Sequence, residues 1–544
     1  MPRYVFALIL LSISLSASAQ HTLFNRQDSL RGTITPERAW WDLTYYDLDI
    51  AVFPDEKRIT GRNLIQYEVL RPAEVLQIDL QPPLQLRSAL QDGEALEIVK
   101  EGNAHFIHLK KPQEVGAIEK VIVTYGGQPR EAVRAPWDGG FSWKKDQDGQ
   151  HFVATSCQGL GASVWWPCKD HMYDEVDSMR ISVEIPTELI AVCNGRLEGV
   201  SQALGGRDSH TYHWKIDNPI NNYGVNVNIG NYVGWEEVYA GEKGPLDVFY
   251  WALKQDEERA RQQFQEVPRM LEAFEHWFGP YPFYEDGYKL VQVPYLGMEH
   301  QSSVTYGNDF QQGYLGSDLS RTGWGLKFDF IIVHESGHEW FANNLTHKDM
   351  ADMWLHEGFT NYSESLFVEY FFGTEAGREY ARGTRGLILN DRPLIGDYDV
   401  NDQHYTSDVY YKGGNLLNTL RSVVQDDEKW RGVLRSLGET FYHQTTNTAA
   451  VEAHMADFLD FDLGPFFDQY LRDTRIPTFE YYFLNEVLYF RWSNAIASFN
   501  MPVDVTIGSA AFRLYPSTEW QRRSQAEAPL SVDPNYYIAL FKSR

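Results

Sequence analysis

Two histidines and a glutamate stand in the order His334-Glu335-Ser336-Gly337-His338, behind the apolar run Phe330-Ile331-Ile332-Val333. Residues four apart on a helix lie one above the other, so both imidazoles can aim at one ion while Glu335 projects close enough to reach a water on it. This is the H-E-x-x-H pattern. A catalytic metal needs a third protein ligand and one open position. Glu357, in Trp354-Leu355-His356-Glu357-Gly358, is the candidate. It sits in a second helical stretch that runs to about Phe372. A turn region with Asp349 and Asp352 precedes it, so two antiparallel helices can bring it back to the histidines. His356 is the competing ligand next door. A His, His, Glu set selects zinc by its nitrogen and oxygen donors, one ion per chain. Zinc lowers the pKa of a bound water to about 7, and Glu335 is the base placed to take that water's proton.

The elements that must carry these residues fall into three stretches. Tyr46, Leu48, Ile50 and Val52 alternate with polar or small neighbours, as do Met179, Ile181, Val183 and Ile185. Period two marks half-buried strands, and clusters such as Gly126-Gly127-Gln128-Pro129 punctuate them. Residues 20–235 are therefore expected to form a β-rich N-terminal domain. Phe264, Val267, Leu271, Phe274 and Phe278 then recur at helical spacing until Gly279-Pro280 stops the run. Helical patterns dominate residues 236–474, apart from a strand-like piece at Leu290 to Val293. From Ile476-Pro477 the period returns to two, at Leu488, Phe490 and Trp492 and at Val503, Val505 and Ile507. That predicts a small β domain over residues 475–544.

Composition narrows the setting. A chain of 544 residues is long for one domain, and 43% hydrophobic with 23% charged residues is ordinary for a soluble globular protein. A formal net charge of −27 repels phosphate backbones and anionic lipid heads, which argues against nucleic acid as a partner. Residues 1–19 combine Met-Pro-Arg, an apolar run from Val5 to Leu15, and Ala17-Ser18-Ala19, the layout of a secretory signal. The apolar run is short for a bilayer span and no later one is long enough. The expectation is an exported protein, periplasmic or secreted, with no integral membrane segment after signal removal. Cys157, Cys168 and Cys193 are odd in number and offer no CxxC spacing, so they read as buried structural thiols.

The sequence resembles the gluzincin aminopeptidases, the family of alanyl aminopeptidase (aminopeptidase N) and leukotriene hydrolase. His334, His338 and Glu357 match that family's spacing, and Trp340-Phe341-Ala342-Asn343 continues it where the family usually has Trp-Phe-Gly-Asn. Upstream, Gly297-Met298-Glu299-His300 resembles its Gly-x-Met-Glu-Asn segment, and Trp166-Pro167-Cys168-Lys169-Asp170 its Phe-Pro-Cys-x-Asp turn. Downstream, Tyr410-Tyr411-Lys412-Gly413 resembles its Tyr-x-Lys-Gly. These motifs run in order from roughly residue 40 to 475.

The resemblance implies a multidomain α+β fold: a saddle-like β-rich N-terminal domain, a thermolysin-like, mainly helical zinc domain, and a small C-terminal β domain. It implies that Glu299 binds the free ammonium of a peptide, with Gly297 and Met298 lining the substrate chain and Gln158 helping to hold the amino terminus. Tyr410 would donate its hydroxyl to the oxyanion, with Tyr411 beside it and Tyr405 as a second, less essential tyrosine. His300 replaces the usual Asn and would set a titratable imidazole beside Glu299. The expected activity is zinc-dependent removal of N-terminal residues from peptides. A zinc endopeptidase and an inactive peptide-binding relative are the alternatives; Glu299 counts against the first, and intact Glu335 and Tyr410 against the second.

Overall fold

The computed structural model describes residues 24–202, 208–402, 405–524 and 529–543. The signal read at residues 1–19 lies outside the described residues. A short helix, α1 (Arg26–Gly32), begins the described chain, capped by the Asn25 side chain on the Gln27 N–H. Two long strands follow, β1 (Trp41–Phe53) and β2 (Arg58–Val69), paired antiparallel with Leu48 opposite Asn63. β3 (Ser178–Pro186) pairs with the other edge of β1, in parallel. Along β1 the expected alternation holds, with Tyr46, Leu48, Ile50 and Val52 all buried. Among the described residues, this sheet has eight strands.

β4 (Tyr232–Gly241) and β5 (Gly244–Leu253) form a hairpin that straddles the boundary drawn at residue 235. The next helix, α2 (Glu266–Phe278), starts two residues later than its apolar spacing suggests. Pro268 is the reason: it has no N–H, and its ring crowds the carbonyl four residues back. Phe264 instead caps a separate short helix, Glu257–Gln263. Gly279 ends α2 with φ at +92°, a conformation that suits glycine.

β6 (Tyr288–Gln292), β7 (Gly297–Met298) and β8 (Val304–Tyr306) complete a five-stranded sheet in the order β4-β5-β6-β8-β7. β7 is its edge. Three helices then build the centre: α3 (Phe330–Gly337), α4 (Trp354–Phe372) and α5 (Asp408–Val424). β9 (Thr478–Leu484) and β10 (Val487–Ser493) open the C-terminal strands. The chain thus has a β-rich N-terminal region, a helical middle and a β-rich end.

The regions share cores. Val291, Val293, Tyr295 and Met298 pack into the N-terminal core, while Phe479, Trp492 and Val505 pack with the helices. Burial at that scale, rather than any single contact, holds the three regions together. No helix among the described residues is long and apolar enough to cross a membrane.

Candidate active site

α3 begins where Asp329 caps it, accepting from the Ile331 and Ile332 N–H groups at 3.0 and 3.3 Å. Four residues after Phe330, His334 stacks on that ring at 5.1 Å. The helix ends at Gly337, leaving His338 as its cap residue. Each imidazole is held from its far side. His334 Nδ1 lies 2.8 Å from Glu364 Oε1, and His338 Nδ1 lies 3.0 Å from the Phe341 carbonyl. Both acceptors require an N–H on Nδ1, which leaves the lone pair on Nε2. Glu364 is fixed in turn by the Tyr380 hydroxyl at 2.7 Å and by Asn361 at 3.1 Å.

The two Nε2 atoms face Glu357, in the first turn of α4. Its Oε2 lies 3.7 Å from His334 Nε2 and 3.4 Å from His338 Nε2. That oxygen is buried and has no hydrogen-bond partner, while Oε1 accepts from Gln158 at 3.2 Å. Two lone pairs and an orphaned carboxylate oxygen, with ligand atoms within 4.8 Å of one another, fit a divalent cation. When the two imidazoles are protonated, His338 and His334 outweigh burial and hold the Glu357 carboxyl down at about 2; a cation between the three side chains would take the place of those protons. His356 turns the other way. Its Nε2 accepts the His347 N–H at 3.0 Å and its ring stacks on that of His347. Of the two candidate third ligands, the geometry brings in Glu357.

A cleft of about 570 Å³ opens onto these atoms. Glu335 and Glu299 face it, and one oxygen of each lies within 4.8 Å of the other and of a His338 nitrogen. Burial pushes the Glu335 carboxyl up, His334 opposes that, and Glu299 adds to it. Glu299 is likewise raised by burial, against His338 and with Glu357. Gln158 donates to Glu299 at 3.1 Å as well as to Glu357, and so ties the two carboxylates together.

Tyr410 reaches the cleft from α5, its ring 6.0 Å from that of His334. Burial first, then the Glu357 charge, keep its hydroxyl protonated. Tyr411 and Tyr405 also line the cleft. Lys412 does not: its Nζ donates to the Asp473 carbonyl at 2.9 Å. Gly413 has a packing reason, since a Cβ there would meet the Gly358 Cα at 2.7 Å. The glycine lets the helix carrying Tyr410 touch the helix carrying Glu357.

Of the residues upstream of α3, one keeps its expected place and two differ from their expected surroundings. Gly297 lines the cleft, and a Cβ there would meet Ile331 Cγ2 and Glu335 Cγ at 2.6 and 3.1 Å, so this glycine also admits α3. Met298 points away from the cleft and is buried in the N-terminal core. Its backbone accepts from Thr305 at 3.0 Å. His300 is fully buried, with Nδ1 3.3 Å from Thr305 Oγ1. Burial pushes its pKa down to about 3, so it is neutral beside Glu299 rather than titrating there. The three cysteines are free and buried, as read from the sequence.

Sequence reasoning passed over Glu364, Asn361 and Tyr380. Glu364 stands seven residues after Glu357 on the same helix, two turns along one face, and that spacing was the available signal. Tyr380 left none, because it comes from a different helix.

Residues 262–470 match the Peptidase family M1 domain. The chain is 21% identical over 400 residues to a probable aminopeptidase 1 from Saccharolobus solfataricus, covering 69% of this chain and 48% of that one. It is 25% identical over 341 residues to leukotriene A-4 hydrolase from Xenopus laevis, covering 58% and 52%. The chain therefore spans about half the length of these relatives. An M1 zinc metallopeptidase variant from Deinococcus radiodurans, crystallised with a Tyr-Ser-Ala substrate, superimposes with a TM-score of 0.65 at 20% identity, covering 80% of this chain and 95% of that one. Motifs, a matched domain and a shared fold thus agree that this chain resembles the M1 aminopeptidases and leukotriene A-4 hydrolase, with the resemblance centred on residues 262–470.

Proposed function

We propose that the protein is an exported zinc aminopeptidase that removes N-terminal residues from peptides. The observation that carries this reading is the orphaned Glu357 oxygen facing two imidazole lone pairs, in a cleft where Glu299 also stands. His334, His338 and Glu357 would hold the zinc. When bound there, zinc supplies Lewis-acid chemistry, polarising a carbonyl and acidifying a water. Glu335 takes the proton of the attacking water and returns it to the leaving amine; positioned bases of this kind contribute roughly 10²–10⁴-fold. The Tyr410 hydroxyl donates to the carbonyl oxygen as negative charge develops on it. Glu299, steadied by Gln158, pairs with the free ammonium group, which an internal peptide bond cannot offer.

Zinc content, export and hydrolysis of matched free and N-acetylated peptides test the proposal. We expect about one zinc per chain, recovery outside the cytoplasm, cleavage of free termini only, and a loss of at least 100-fold in Glu335→Gln. Equal cleavage of blocked and free peptides would identify an endopeptidase instead. Full activity in Glu335→Gln would remove the base assignment.

A further inference from the structure

The cleft is lined by three carboxylates, Glu299, Glu335 and Glu357. Among the described residues that line it, Arg134 is the only lysine or arginine. It stands between two strands of the N-terminal region, Ile118–Gly127 and Gly140–Lys145, on a loop that also brings Pro136 and Trp137 to the cleft wall.

That loop fixes its backbone and leaves the arginine free. The Asp138 carboxylate accepts the Val133 and Arg134 N–H groups at 2.7 and 2.9 Å. The Ala132 N–H donates to the Phe141 carbonyl at 3.0 Å, and the Phe141 N–H to the Arg130 carbonyl at 2.8 Å. Gly140, with φ at +123°, lets these segments close, since a Cβ there would lie 2.5 Å from the Arg130 carbonyl oxygen. Asp138 approaches Arg130 Nη2 at 3.6 Å, whereas among the described residues no carboxylate pairs with the Arg134 guanidinium. In a chain of net charge −27, acidic partners are in surplus, so an arginine left unpaired at the cleft is available to a ligand.

The direction of a bound peptide says which ligand. Glu299 and Glu335 are 3% and 8% exposed, while Trp137 is 50% exposed and Arg134 is exposed. A peptide whose ammonium pairs with Glu299 is therefore anchored by its buried end. Beyond the scissile bond its chain has to lead back toward solvent, where Arg134 stands. A carboxylate on that part of the peptide is repelled by Glu299 and Glu335 and finds its opposite charge in Arg134, whose planar fork matches a carboxylate in two parallel hydrogen bonds. We propose that Arg134 binds a carboxylate carried by the substrate beyond the scissile bond, either the C-terminal carboxylate of a short peptide or an acidic side chain. The inference rests on the aminopeptidase reading.

Two matched pairs of peptides, assayed on the full zinc-loaded protein, test this: tri-alanine as the free acid and as the C-terminal amide, and Ala-Ala-Asp-amide against Ala-Ala-Asn-amide. The wild type should favour the carboxylate-bearing member of at least one pair by about fivefold in kcat/KM, the upper range for an exposed ion pair. Preference within the first pair identifies the C-terminal carboxylate as the ligand, and within the second an acidic side chain. The preference should lie in KM rather than kcat and shrink at high ionic strength. Arg134→Ala should bring the ratio to about one, Arg134→Glu should invert it, and Arg134→Lys should restore part of it. Lys120, exposed on the eight-stranded sheet, gives the control, because Lys120→Ala changes the net charge equally and should keep the wild-type ratio. Thermal melting confirms folding, and if Arg134→Ala does not fold, Arg134→Lys and Arg134→Glu decide the matter. Equal cleavage within both pairs, or a preference that persists in the folded Arg134 variants, overturns this inference and leaves the aminopeptidase reading standing. Failure to cleave any of the four peptides, with cleavage of their N-acetylated forms, overturns both.

Discussion

At the residue scale, the site depends on groups that hold its ligands as much as on the ligands. Glu364 sets the tautomer of His334 and receives two further hydrogen bonds for that purpose. Partners of this kind change metal affinity by about 10–100-fold when removed. We expect Glu364→Ala to weaken zinc binding by that factor in a competition assay with a chelating dye, while the fold survives. Tyr410 is a different case: in the proposed mechanism its hydroxyl has work only when charge develops on the substrate. Tyr410→Phe should lower kcat by about 10²–10³-fold, equivalent to 2.7–4 kcal/mol, with little change in KM. An equal loss in Tyr411→Phe, and none in Tyr410→Phe, would move the role to the neighbour.

At the element scale, the site is a meeting of helices, and glycines set how close they come. Gly358 and Gly413 touch where α4 crosses α5, one residue after Glu357 and three after Tyr410. Gly297 allows β7 to lie against α3 beside Glu335. A methyl at the first contact must push α5 outward, since the opposing atom is backbone and cannot rotate away. Overpacking of this kind costs about 1–3 kcal/mol. We expect Gly413→Ala to lower the melting temperature and to cut kcat more than zinc affinity, because it moves Tyr410 relative to Glu357. Undiminished kcat would show that the crossing is loose. Pro268 carries the same lesson for α2: one residue's backbone chemistry overrode an apolar period that ran through it.

At the scale of the whole molecule, buried neutral histidines tie stability to pH. His300, His171 and His347 have pKa values pushed down by burial to about 3. Each is neutral when folded, yet takes up a proton below about 6.5 when unfolded. The unfolded state then binds more protons, so stability is fully present above about pH 6.5 and falls as pH drops toward 3. Well below pH 6.5 the loss is about 1.4 kcal/mol per pH unit for each such histidine. His300→Asn should flatten the pH dependence of the melting temperature between pH 6.5 and 4.5; an unchanged slope would mean that His300 is protonated in the fold.

The local spacing of His334, Glu335 and His338 determined a candidate metal pair with a carboxylate beside it, because helix geometry relates residues four apart without help from the rest of the chain. Alternation and its breaks likewise determined the order of β-rich, helical and β-rich regions. Spacing alone favours Glu357 with His356 left as its rival, and the family resemblance strengthens that choice. The tertiary structure decided it, since helix rotation aims one side chain at the histidines and the next at His347. It also decided that His300 is neutral, that Met298 faces a core, and that Gly297 admits a helix. Those outcomes depend on which distant segments pack against a residue, and long-range packing leaves no local period to read. The metal pair therefore stands on local geometry, while its third ligand and its supporting carboxylate come into place only once α3, α4 and α5 have come together.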